Sequence, residues 1–77
     1  MFVSIANMNK DEILEKVAEN IRIERLRQRL SQEKLAEMSG ITQKYLNLIE
    51  NKKSTPSIVI IVNICNSLKM ELNSLLK

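Results

Sequence analysis

A single glycine constrains this chain more than any other residue. Gly40 stands inside the stretch QEKLAEMSGITQKYLNLIEN, residues 32–51. Before it, Leu35, Ala36 and Met38 mark the apolar side of a short helix, which Ser31 can cap and which Glu33, Lys34 and Glu37 keep wet. After it, Ile41 is expected to pack inward, Thr42 to cap a second short helix, and Leu46 and Ile49 to give that helix its apolar side. A glycine just past a helix end takes a positive φ without steric cost, which makes it the natural place for a tight turn. Ala36 is small where two helices must approach closely. The stretch therefore predicts one helix over about residues 32–39 and another over about 42–51, crossing at an angle set by the turn.

The flanking sequence predicts three more helices. Asn9 can cap the first, with Glu12 three residues on completing a capping box. Ile13, Leu14, Val17, Ile21 and Leu26 carry its apolar stripe to about Gln28. Residues 52–56 are turn-rich, and Pro56 suits the start of a fourth helix over about Ser57–Leu68. Ile58, Ile61, Ile64, Cys65 and Leu68 would form its inward side. A short fifth helix spans about Glu71–Leu76. One domain is expected over residues 9–77, preceded by an extension, residues 1–8, that is either flexible or associated with a dimer. With 44% hydrophobic residues, one Gly and one Pro in 77 residues, the fold class is all-α. An effector-binding or protease-sensing domain is not expected, since one residue follows Leu76.

Several functions are disfavoured. No apolar run reaches membrane-spanning length, and the N-terminus lacks the pattern of a signal peptide, so no membrane partner and a cytoplasmic location are expected. With no His and one Cys, a zinc site is not expected, nor any other metal or cofactor. Cys65 reads as a small buried hydrophobe. No nucleophile and base stand at a catalytic spacing, so the chain is not expected to be an enzyme. The charge is more telling. Residues 1–20 hold two lysines and four acids, a net −2; residues 21–56 hold eight bases and four acids, a net +4; residues 57–77 hold two lysines and one acid, a net +1. The positive excess sits on the segment around Gly40, as a surface facing phosphates requires. Two short helices with long polar side chains opening the second have the build of a helix-turn-helix reader of DNA.

The chain resembles the phage repressor/Cro type of helix-turn-helix, the Xre-like family. The matching residues are Leu30-Ser31-Gln32 before the motif, Leu35-Ala36 in its first helix, Gly40 at the turn, Ile49-Glu50-Asn51 at the end of its second helix, Pro56-Ser57-Ile58 at the next helix and Leu75-Leu76 at the close. The match spans roughly residues 17–77, with the motif at about 32–51. The resemblance implies a five-helix, lambda-repressor-like DNA-binding domain. It also implies roles. Gln43 and Lys44, on the first turn of the second motif helix, fall where the family meets base edges, with Asn47 and Leu48 one turn on. Gln can pair with adenine, Lys can donate to guanine, and Leu can touch a thymine methyl. Ser31, Gln32, Thr42, Tyr45, Asn51, Lys52 and Lys53 are candidates for the sugar–phosphate backbone. For Tyr45, packing against the scaffold and a phosphate contact through its hydroxyl both stand. Arg25 and Glu50 match a family ion pair between the first helix and the end of the recognition helix. Arg29 and Lys52 depart from the pattern, since glycine is common at both positions. Either helix one runs on through Arg29 or the turn there takes another form.

These residues imply a sequence-specific, DNA-binding transcriptional regulator, a small repressor or controller protein whose partner is double-stranded DNA. Phage repressors and restriction–modification controllers both fit, as does activation in place of repression. The alternative is a protein-binding module such as an antitoxin, with a toxin or other protein as partner. A homodimer on a palindromic operator is expected, because one such domain reads too few base pairs for useful specificity. Val59, Ile60 and Val62 are surplus apolar residues on helix four, and Leu72, Leu75 and Leu76 exceed the needs of a short helix five. These six are the interface candidates. Phe2-Val3-Ser4-Ile5 is a second apolar element that could pair as a strand, pack across a dimer or fray.

Overall fold

The computed structural model describes residues 7–77, and the Phe2–Ile5 segment lies outside them. Four α-helices follow in order: α1 (Lys10–Arg27), α2 (Gln32–Ser39), α3 (Gln43–Glu50) and α4 (Ile58–Leu68). The fifth helix is a 3-10 helix, Leu72–Leu76, not an α-helix. Its N-terminus has no side-chain cap hydrogen bond, and five residues are too few for the α-ladder to add more than one or two bonds. No strand occurs among the described residues. None of their helices is long and apolar enough to cross a membrane.

Every α-helix starts the same way. Asn9 Oδ1, Ser31 Oγ, Thr42 Oγ1 and Ser57 Oγ accept from the backbone N–H three residues on, at 2.8, 2.9, 3.0 and 3.3 Å. Each bond satisfies one donor that the helix itself leaves free. Every α-helix also ends the same way. Leu30 N–H donates to the Arg25 carbonyl and Arg29 N–H to that of Leu26. The same two-bond closure recurs at Gly40–Ile41, Lys52–Lys53 and Lys69–Met70. These are Schellman motifs, and each needs a left-handed residue. Only one of the four is glycine: Gly40 has φ +71°, while Arg29, Lys52 and Lys69 take +59°, +62° and +56°. Helix one therefore does not run on at Arg29; the turn keeps the form glycine would have made, at a strain of roughly 1 kcal/mol. Gly40 is needed for its φ and not for space, since an added Cβ would meet nothing within 4 Å.

Ile21, Leu35, Leu46, Ile49, Ile64, Leu68 and Leu75 are fully enclosed and draw on every helix. α2 packs on α3 and α4, and α1 packs on α3 and the 3-10 helix. Side-chain amides tie the C-terminal half to α1: Gln28 Nε2 donates to the Leu68 carbonyl at 2.7 Å and Asn20 Nδ2 to that of Leu75 at 2.8 Å. Three expected core residues lie elsewhere. Leu26 is exposed because Arg25, one turn after Ile21, takes the inward position. Met38 is exposed at the end of α2, where Ser39 turns in and donates to Ser67 Oγ. Ile58 is exposed at the first turn of α4, on the rim of a cleft, and Ile60 packs against the core instead.

Candidate nucleic-acid interface

The site is built on a buried ion pair. Arg25 Nε and Nη2 donate to Glu50 Oε2 and Oε1 at 2.8 and 3.0 Å, a bidentate fork between α1 and the last residue of α3. The two side chains are 11% and 2% exposed. The third guanidinium nitrogen, Nη1, donates to the Leu30 carbonyl at 2.8 Å, which also locks the turn after α1. The fork leaves no buried side-chain N or O atom without a partner among the described residues. It adds little net stability over an apolar pair, but removing one partner would strand the other charge.

Gln32 extends this chain of bonds. Its Nε2 donates to Glu50 Oε1 at 3.1 Å, and its Oε1 accepts from Asn47 Nδ2 at 3.3 Å. Asn51 Nδ2 in turn donates to the Asn47 carbonyl at 2.8 Å. The start of α2 and the exposed face of α3 are thus cross-linked by amides. The sequence holds no local sign of the Gln32–Asn47 bridge, because the partners are fifteen residues apart and meet only once the turn is formed.

The other candidate residues lie on α3 or at the ends of α2 and α3. Gln43 and Lys44 are exposed on its first turn, Asn47 is exposed, and Leu48 is half-buried. Tyr45 is half-buried and packs against the core. Ser31 and Thr42 spend their hydroxyls on capping. Lys53 is exposed just beyond α3, whereas Lys52 points its ammonium at Glu15, 3.9 Å away. Among the interface candidates, Leu75 is corrected: it is fully enclosed in the core, and Ile60 and Leu76 are half-buried. Val59, Val62 and Leu72 are exposed, and Ile58 joins them. Ile58 and Leu72 border an apolar cleft of about 340 Å³ that α1 closes with Ile13, Leu14 and Val17. Cys65 is enclosed, and burial pushes its thiol above the ordinary range.

Two capped helices joined at Gly40, the second exposed on its first turn and forked to α1 at its end, have the form of the helix-turn-helix of DNA-binding transcription regulators. The chain belongs to the helix-turn-helix family HTH_3, of the Xre/Cro-like type, whose pattern it matches over residues 21–75. It is similar to the restriction-modification controller protein C.AhdI from Aeromonas hydrophila, with 32% identity over 80% of this chain and 94% of that one, at a TM-score of 0.78. It is similar to the restriction-modification controller protein C.Esp1396I, with 26% identity over 83% and 87% of the two chains, at 0.76. The fold is shared with the hypothetical transcription factor NHTF from Neisseria, with 24% identity over 99% and 90%, at 0.81. No curated protein matches the sequence.

Proposed function

We propose that this protein is a small sequence-specific regulator that binds a palindromic operator as a homodimer, with α3 in the major groove, and that it works in the cytoplasm. The observation that carries this reading is the contrast within α3. Its first turn presents Gln43 and Lys44 to solvent, while its last residue, Glu50, is locked to Arg25. A recognition helix needs both, since free side chains at one end are useful only if the backbone beneath them does not move. Residues 9–77 form the DNA-binding domain. Gln43, Lys44, Asn47 and Leu48 face base edges. Lys53, Asn51 and the backbone around Ser31 and Thr42 face phosphates. Lys52 serves the phosphates after leaving Glu15.

The dimer is supported by an apolar surface that stays exposed among the described residues. Ile58 and Val59 are each 64% exposed, beside Val62 and Leu72. A two-fold pair places recognition helices about 34 Å apart, one turn of DNA. Among the kinds of regulator the residues leave open, a restriction–modification controller is favoured by the likeness to C.AhdI, which covers 94% of that protein. Selection from random duplex DNA, followed by gel shifts at rising salt, tests the function. A defined half-site repeated in two-fold symmetry is expected, with affinity falling steeply as salt rises. Binding with no preference over nonspecific duplex would overturn the reading.

A further inference from the structure

We propose that Gln32 is a polarity relay: it orients the Asn47 carboxamide with its oxygen outward, which favours a base that presents an exocyclic amino group. The inference rests on the reading of α3 as the helix that meets base edges. A carboxamide has a donor end and an acceptor end, and which end faces outward decides what it can recognise. Here the orientation is set by chemistry in three steps. Glu50, forked by Arg25, has only acceptors to offer. The end of Gln32 that meets Glu50 Oε1 at 3.1 Å must therefore be the NH₂. Gln32 then turns its oxygen to Asn47, and the end of Asn47 that meets it at 3.3 Å must also be an NH₂. Asn47 Oδ1 is left pointing away from the relay, and no donor meets it among the described residues.

An outward oxygen accepts. In the major groove, the amino donors are N6 of adenine and N4 of cytosine, while guanine O6 and thymine O4 only accept. Asn47 alone could turn over and serve either class. Tied to Gln32, it keeps its oxygen outward and only one N–H free, so a base with an amino donor is favoured over one with acceptors alone. Gln32 is a positioning residue here: it changes base preference by holding Asn47.

The test uses a duplex selected by the wild-type protein. Each adenine is replaced in turn by purine and each cytosine by 2-pyrimidinone, which deletes only the exocyclic amino group. At one position per half-site, the deletion should weaken wild-type binding by roughly threefold to tenfold, the range of one hydrogen bond, and leave Asn47→Ala unaffected. Gln32→Met should lose that sensitivity while keeping the preferences carried by Gln43 and Lys44. Asn47→Asp covers the case in which Gln32→Met does not fold. A carboxylate accepts in either orientation, so this variant should stay sensitive. Equal effects of every deletion on wild type and Asn47→Ala, with the other preferences intact, overturn the relay alone. So does full sensitivity in folded Gln32→Met, or its loss in Asn47→Asp. A wild-type protein with no preference at any position overturns both the relay and the reading beneath it.

Discussion

The two halves of this molecule break the ordinary rule of burial in opposite senses. In the motif half, a full ion pair is inside: Arg25 and Glu50 are buried and bonded to each other, to the Leu30 carbonyl and to Gln32. In the C-terminal half, the most exposed large apolar side chains gather: Ile58 and Val59, with Val62 and Leu72 beside them, whereas Ile23, Leu26 and Met38 are exposed on α1 and α2. Each exception has a different use. A buried fork is directional, so it fixes the attitude of α3 in a way that a greasy contact would not. An apolar face left exposed among the described residues is non-directional, and it suits the proposed contact with a second copy.

The largest test of the comparison is Glu50→Ala, which strands the Arg25 guanidinium. A loss of about 3–5 kcal/mol is expected from denaturant titration. Glu37→Ala, which removes an exposed pair with Lys34 at 3.6 Å, should cost no more than about 0.5 kcal/mol. Equal small shifts would remove the fork as the anchor of the motif. Next in size is Val62→Glu. Sedimentation should show the dimer weakened by at least about tenfold, with folding stability nearly unchanged, as for an exposed site. A wild-type monomer at micromolar concentration, with operator affinity indifferent to Val62→Glu, would break the C-terminal side of the comparison.

Smaller effects sharpen it. Lys69→Gly and Lys52→Gly each relieve a left-handed backbone and should each raise stability by up to about 1 kcal/mol. The two should part company in DNA binding: Lys69→Gly leaves it alone, while Lys52→Gly weakens it by removing a charge beside α3. The smallest effect is expected at Cys65. Burial raises its thiol, so as pH climbs past about 8.5 the unfolded chain ionises first and native stability falls. Cys65→Ala should lack that fall on the alkaline side.

Much of this fold was legible because helix starts are written locally. Asn9, Ser31 and Thr42 each cap through their own side chain, and residue type alone points to them; Ser57 also caps, at a start that the sequence marks through Pro56. Helix ends were legible only at Gly40. Arg29, Lys52 and Lys69 adopt the same left-handed turn because the packed helices impose it, and nothing in a lysine announces that. Helix four shows the same limit. Its apolar residues run almost unbroken from Ile58 to Ile64, so periodicity could not decide that Ile60 packs and Ile58 does not. At the candidate interface, the family resemblance pointed to Gln43 and Lys44, but residue types gave no hint that Gln32 would be tied to Asn47 and Glu50.

The role of α3 is tested most directly by base-resolved competition on the selected operator, comparing Gln43→Ala, Lys44→Ala and Lys53→Ala. Gln43→Ala and Lys44→Ala should each relax preference at particular base pairs, by about 1–3 kcal/mol of discrimination. Lys53→Ala should weaken all duplexes alike and shallow the salt dependence. A uniform loss for all three, with every base preference intact, would contradict α3 as the reader.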